Sequence, residues 1–451
     1  MSSLGSPNPF FIAGKKAYEV ERSLRFNRSG SHRLNRTPAS AGNRKTWTKS
    51  FWVKRTTEDR RFLHAYYISG TDVAAITFRE YGNFAFYDFY NGYRLHFETS
   101  ARFRDCTAWT HFVVSLDTTQ STSSERVKIY VNGERVTAFN TAVYPSQNLD
   151  VSFNQNVLEA WGTEGTNQRL HFDGYLADVY YVDGQQLEPT LFGFTESQTG
   201  IWKPKKYTGS YGSAGWHLEF KDNSATTATT LGRDSSGNGN NWTPTNISTH
   251  DVLPDTPTNN FAVWNSVDGE GKDNEGSFSE GNLKVQIAYQ GNAEESGATL
   301  AFSSGKWYWE EYMQSSTDNA GNVGVGVKSV EGHGNNGGNH WRVRGNGGES
   351  DNNGSQTNVS GFSWTTGDII GIAVDMDNGN WTASKNGSWI GANIHTNLSG
   401  TVVPTMHISI GSEIHTFIAN FGQDSSFACL LYTSDAADER SSVDLGGRRI
   451  I

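Results

Sequence analysis

The chain of 451 residues has only two cysteines, four methionines and ten prolines, and no apolar run approaching the ~18 residues that a membrane-spanning helix needs. A transmembrane helix is therefore excluded, and two cysteines cannot supply the disulfide framework of a small secreted domain. The N-terminal PFFIAG, residues 9–14, is six residues long with no charged stretch before it. That is too short for the core of a secretory signal, so export by that route is not expected. Asn-x-Ser/Thr triplets at Asn27, Asn241, Asn353 and Asn380 then carry no weight as glycosylation sites. Runs of Ala, Leu, Lys and Glu are few, while aromatic residues reach 13%. This bias favours pleated, half-buried surfaces over helices, and the predicted class is all-β.

Positive charge is scarce overall, at 37 Lys and Arg against 47 Asp and Glu, and it is unevenly placed. Residues 1–60 hold thirteen basic and four acidic residues, residues 261–428 seven and eighteen. A basic arm is one footprint of nucleic-acid binding. In SLRFNRSGSHRLNRTP, however, the charges alternate with strand residues instead of clustering, which predicts a solvated or assembly-facing arm and no nucleic-acid partner. At the other end, CLLYTSDAADERSSVDLGGRRII (residues 429–451) breaks abruptly with the preceding composition and resembles a translated sequencing adapter. That reading sets residues 429–451 aside, leaves the native C-terminus undetermined and makes Cys106 the one native cysteine. In ARFRDCTAW it is expected to be a small packed filler and not a nucleophile.

Residues 23–248 alternate in short runs at roughly ten-residue spacing: TWTKSFWVKR, RFLHAYYI, DVAAITFRE, NFAFYDFY, YRLHFETS, WTHFVVSLD. Such spacing predicts a sandwich or barrel. In VKIYVNGERVTAF, Asn132 and Gly133 suit a two-residue type I′ turn, with Ile129, Val131 and Val136 alternating around it. GYLADVYYVDGQQL reads as a long buried strand and a turn. Together with SLRFN and DSSGNGNNWT, these motifs resemble the laminin G-like, concanavalin A-like jelly-roll family, in the version common in marine bacteriophage tail proteins. The resemblance implies two large antiparallel sheets that bind glycans or proteins or act as a spacer, and in one branch hydrolyse glucans.

Retaining hydrolysis needs two carboxylates roughly 5–5.5 Å apart, which the hydrolase branch of that family places on one strand as Glu-x-Asp-x-x-Glu. No such spacing occurs in this sequence. EGKDNE (residues 270–275) has the wrong spacing, and Asp173, Asp178 and Asp183, five apart, fall on alternating strand faces. No catalytic residue is therefore assigned. RDSSGNGNNW offers calcium ligands at Asp234, Ser236 and Asn238, but Thr245 stands where the closing carboxylate should be. A calcium site and an Asx-rich turn both remain open, and no other cofactor is expected.

DVLPDTPTNN, with two prolines and no periodicity, reads as a linker within residues 249–262. Residues 263–428 then form a second β series. In GDIIGIAVDMDNGNWTASKNGSWIGA, Ile370, Ile372 and Val374 share one strand face while Ile369, Gly371 and Ala373 share the other. Both faces are apolar or small, predicting a central strand followed by turns at 377–379 and 386–387. SGKWYWE, the Val-Gly-Val strand at 323–327, GDIIGIAVDMDNG with SKNG, VVP and NFGQ resemble, in that order, the SPRY (B30.2-like) family. The resemblance implies a sandwich whose edge loops bind peptides or protein surfaces. Trp307, Trp309 and Trp381 are expected in its core. In the Gly/Asn-rich residues 331–356, His340, Trp341, Arg342 and Arg344 are residue types favoured at binding hot spots. They either form a recognition loop or lie in a short strand, HWRVR. The histidines at 333, 340, 407 and 415 lack zinc spacing with any cysteine.

The expectation is a non-enzymatic virion protein, a phage tail-fibre or tail-associated component, with two lectin-like binding sandwiches in tandem. Its partners would be a host-surface glycan or protein or other virion proteins, with homotrimerisation expected if it forms a fibre. The alternatives are a glycan-degrading jelly-roll enzyme and a cytoplasmic SPRY adaptor.

Overall fold

The computed structural model describes residues 18–424 except 71, 165–168, 270–276, 289–293, 318–322, 331–339, 346–348, 353–354, 360–361, 392 and 409–413. PFFIAG, EGKDNE, His333 and the adapter-like tail lie outside the described residues. Two antiparallel β-sandwiches follow one another, each built from two sheets. The first sheet of the first sandwich runs Glu134–Arg135, Val127–Val131, Thr110–Asp117, Thr46–Arg55, Gly174–Asp183, Ser23–Phe26 and Val252–Leu253. The facing sheet runs from Phe139–Val143 through Tyr93–Arg102, Asn83–Phe89, Asp72–Phe78, Arg61–Ser69, Glu159–Trp161 and Arg33–Arg36 to Thr243–Thr245.

Aromatic rings fill the space between them. Trp47 packs edge-on to Phe86 at 5.8 Å and Phe51 edge-on to Trp161 at 5.5 Å. Eight tryptophans of the described chain are fully buried. Each removes roughly 150–250 Å² from water, a gross gain of about 4–6 kcal/mol at ~25 cal/mol per Å². That term stabilises a thin sandwich without disulfides. Asn132 and Gly133 have φ of 48° and 86° and close the expected hairpin.

The charged strand Thr46–Arg55 is buried along nearly its whole length because its sheet is covered on both faces. Lys49 points between the two sheets, with its ammonium 4.7 Å from the Tyr66 ring and 5.0 Å from the Tyr181 ring. Lys49 Nζ lies 2.8 Å from His64 Nδ1, and His64 Nε2 lies 3.3 Å from Glu159 Oε2. Arg36 Nη1 donates to Glu159 Oε1 at 3.0 Å, which completes a buried chain of polar groups across the core.

Residues 249–262 correct the linker reading. Val252–Leu253 pairs with Ser23–Phe26, and Asp255 is fully buried. Long-range pairing takes up the two-proline stretch, which joins the first sandwich to the second. Across the junction Tyr175 Oη donates to the Gly281 carbonyl at 2.8 Å, and Asn282 Nδ2 donates to the Thr56 carbonyl at 3.1 Å.

One sheet of the second sandwich runs Trp264–Gly269, Glu294–Ala298, Val402–Ile408, Val323–Ser329, His340–Arg344, Glu349–Asn352 and Ser355–Asn358. The other runs Ser277–Ser279, Lys284–Ala288, Ile414–Asn420, Lys306–Ser316, Ile369–Asp375, Asn380–Lys385 and Ser388–Trp389. Ile369–Asp375 is interior to its sheet, as expected, and the meander continues to the sheet edge. Only Ile370, Ile372 and Val374 face the packed core; Ile369 and Ala373 on the opposite face are half-buried.

Candidate functional site

That half-open face carries a groove of about 340 Å³, lined by Lys306, Trp307, Tyr308, Asp375, Thr382 and Asn393 among others, with Ala373 and Val374 beside them. Trp307 sits at the start of its strand, half-buried, stacked on Phe302 at 4.8 Å and donating from Nε1 to the Ser304 carbonyl at 2.7 Å. It packs against the core from the sheet's rim, while Trp309 and Trp381 are buried as expected. Tyr308 lies against the sheet because Gly371 leaves room for it: a Cβ there would come within 2.7 Å of Tyr308 Oη. The hydroxyl donates to Glu310 Oε1 at 2.7 Å, and burial pushes the Glu310 carboxyl up from its ordinary range. Beyond Tyr308, at 6.0 Å between ring centroids, stands Trp389, 45% exposed on the edge strand.

The groove thus combines two aromatic faces, a small apolar floor and polar groups at its rim. Asp375 supplies the carboxylate. The Asn378 side-chain amide, and then Lys306 at 3.3 Å, hold it below the usual carboxylate range. Aromatic faces suit the apolar faces of sugar rings or flat side chains, and the amides and carboxylate fix orientation. One rim carboxylate beside a lysine does not make the acid and nucleophile pair of a retaining hydrolase.

His340, Trp341 and Arg342 are buried in the strand His340–Arg344, and Arg344 is half-buried. Trp341 Nε1 donates to Asn397 Oδ1 at 3.2 Å. The exposed recognition-loop placement is therefore corrected to the strand alternative. HWRVR alternates a large apolar residue with long polar ones, and both faces of this strand are covered.

At Asp234 both carboxylate oxygens accept backbone N–H groups: Oδ1 from His217 at 2.9 Å and Ser236 at 2.8 Å, Oδ2 from Asn240 at 2.9 Å. Asn238 turns its amide Nδ2 inward to the Gly212 and Gly215 carbonyls. These bonds form the Asx-rich turn, with both Asp234 oxygens serving the backbone. Asp234→Ala should cost about 3 kcal/mol by orphaning those N–H groups. Chemical denaturation of the variant measures this, and the wild-type melting temperature should be equal in calcium and in chelator.

Sequence reasoning missed one constellation altogether. Asp178 sits at a bulge with φ of 51°, so it is not placed by simple alternation. Its Oδ1 lies 2.7 Å from His217 Nε2, and His217 Nδ1 lies 3.0 Å from the exposed Ser235 Oγ. The hydroxyl also lies 3.1 Å from the carbonyl of His217 itself, which makes it a local cross-strand contact. Asp178 additionally accepts from Tyr18 Oη at 2.9 Å. The spacing of these residues, 57 positions from first to last, gives no local signal in the sequence.

Comparison with known proteins matches these two sandwiches to two family models. Residues 28–190 match the concanavalin A-like lectin/glucanases superfamily, and residues 306–423 match the SPRY domain. The chain is a concanavalin A-like domain followed by a SPRY domain. Among solved structures, the SPRY domain of human HERC1 is 17% identical, with 35% of this chain and 98% of that chain covered and a TM-score of 0.30. The TRIM65 PSpry domain is 14% identical, with 36% and 92% covered and a TM-score of 0.28. The heptameric SAP-like pentraxin from Limulus polyphemus is 12% identical, with 38% and 80% covered and a TM-score of 0.28. Among curated proteins, none matches the chain. Both families include binding domains, and in the SPRY domain the groove runs along GDIIGIAVD at Ala373, Val374 and Asp375.

Proposed function

We propose that this tandem concanavalin A-like and SPRY protein is a non-catalytic recognition component of a virion, attached to a phage tail, and that its ligand is a host-surface glycan. The observation that carries the binding reading is the groove at Trp307 and Tyr308 with Trp389 exposed beside it. Tyr308 and the exposed Trp389, next to Asp375, Thr382 and Asn393, have the composition that sugar rings select, with ring faces for stacking and short polar side chains for hydroxyls. The virion setting rests on the resemblance of the first domain to phage tail proteins. A composition rich in Gly, Asn, Ser and Thr and poor in cysteine supports it, since a fibre must stay folded outside the cell without disulfides.

The test is binding of the full chain to an array of bacterial surface polysaccharides, beside the Trp307→Ala and Trp389→Ala variants. Loss of a stacking platform costs about 2 kcal/mol, so each variant should bind roughly 30-fold more weakly. Unchanged affinity in both would move recognition away from this groove. The arginine-lined cleft of the first domain, at Arg55, Arg102 and Arg104, would then be the next surface to mutate.

A further inference from the structure

At the junction of the two domains a buried lysine and a buried aspartate meet a half-buried asparagine. Lys54 Nζ donates to Asp255 Oδ2 at 2.9 Å, to Asn260 Oδ1 at 2.9 Å and to the Phe261 carbonyl at 2.8 Å. The side chains of Lys54 and Asp255 are both 0% exposed. Trp109 Nε1 donates to the other Asp255 oxygen at 2.9 Å, and the Tyr175 ring lies 5.8 Å from the ammonium. Val20, Trp52, Ala177 and Leu253 complete an apolar cluster with these two rings. The Asn260 amide is oriented by its own donor: Nδ2 bonds to the Thr107 carbonyl at 2.7 Å, which turns Oδ1 toward Lys54.

We propose that Lys54 and Asn260 form an isopeptide cross-link, with Asp255 as the proton carrier. The electrophilic carbon lies one C=O bond, about 1.2 Å, beyond the oxygen that Nζ already touches. The Lys54 ammonium gives a proton to the Asp255 carboxylate, and the freed amine attacks Asn260 Cγ, forming the new C–N bond. The Asp255 acid stabilises the oxygen as negative charge develops there. On collapse the C=O re-forms and the bond from Cγ to Nδ2 breaks. Asp255 delivers its proton to the departing nitrogen and takes the second proton from the Lys54 nitrogen. Ammonia leaves, carrying that proton away as ammonium, and the carboxylate is restored. No oxidant and no second reactant is consumed.

The bond would join residues 206 apart in sequence, closing the first sandwich onto the segment that enters the second. Among the described residues the one cysteine, Cys106, is buried and free, so no disulfide does this there.

The experiment is the intact mass of the purified full-length chain after prolonged incubation at neutral pH, with a protease map. The expected result is a mass lower by one ammonia, with a branched peptide joining Lys54 to Asn260. Asp255→Asn, nearly isosteric, and Asn260→Ala should both retain the full mass. A full mass in the wild type overturns the proposal. So does ammonia loss that maps to a succinimide at an Asn-Gly turn such as Asn132 or Asn386, without a branched peptide. Loss of water with a branch on Asp255 overturns the assignment of Asn260 as acceptor.

Discussion

Glu159→Ala should destabilise the first sandwich by about 4 kcal/mol, while Lys49→Met should cost less than about 1 kcal/mol. Both residues are fully buried and belong to one chain of groups, yet their removal leaves different things behind. Without Glu159, Arg36 loses the carboxylate 3.0 Å away and Lys49 the negative charge nearest to it in the core. Uncompensated buried cations cost several kcal/mol. Without Lys49, Glu159 keeps Arg36 and His64, and methionine fills a cage of Trp47, Tyr66, Phe153 and Tyr181 rings that is already apolar.

The acid–base properties agree. Burial pushes Lys49 down to about 7 and His64 down to about 3, so the imidazole is neutral near pH 7. Burial alone would raise Glu159, but His64, Lys49 and Arg36 reverse that and hold it below the usual range. For Lys49 the unfolded chain binds more protons between pH 7 and its ordinary value, so its contribution to stability rises over that interval and is lost as pH falls through 7. Chemical denaturation of the three proteins at pH 6 and pH 8 measures both effects. Equal losses in the two variants would show that the network does not bear charge in the way described.

In the SPRY domain the dependence on pH should run the other way. Glu311 is on the core face of Lys306–Ser316, fully buried; its Oε1 accepts from Trp309 Nε1 at 3.0 Å. Its Oε2 has no hydrogen-bond partner among the described residues. Burial pushes the carboxyl up to about 8, and the Trp309 bond offsets this only in part. Between its ordinary value near 4.5 and 8, the unfolded state releases a proton that the folded state keeps. Stability from this group is therefore complete below pH 4.5 and falls as pH rises through 8. Glu311→Gln, which cannot ionise, should stabilise the domain by ~3 kcal/mol at pH 9 and change little at pH 5. Melting curves of wild type and variant across that range decide it; a difference independent of pH would mean that Glu311 does not carry its charge into the core.

How far local sequence reaches is visible in particular residues. Asn132–Gly133 and Asn386–Gly387 are legible as turns because positive φ is a local demand that few residues meet. Alternation in GDIIGIAVD is legible for the same reason: strand period is local. Lys49 and Lys54 are not legible. In TWTKSFWVKR they read as solvated charges, and only pairing across the fold shows that one enters an aromatic cage and the other the domain junction. DVLPDTPTNN has the composition of a linker, but Val252 and Leu253 are buried by a strand more than two hundred residues earlier. HWRVR carries hot-spot residue types whose burial depends on neighbours in the next strands. Trp389 ends a visible meander and is exposed as its position suggests, while Trp307 packs on the core yet stays half-buried because it begins its strand at the sheet's rim.

The central claim, recognition without hydrolysis, is tested most directly by one assay. Polysaccharides captured by the full chain are incubated with it, and both retained ligand and new reducing ends are followed over time, for wild type and the Trp307→Ala, Trp389→Ala double variant. The account predicts retention that the double variant loses, and no increase in reducing ends. New reducing ends, or retention that is equal in the double variant, would contradict it.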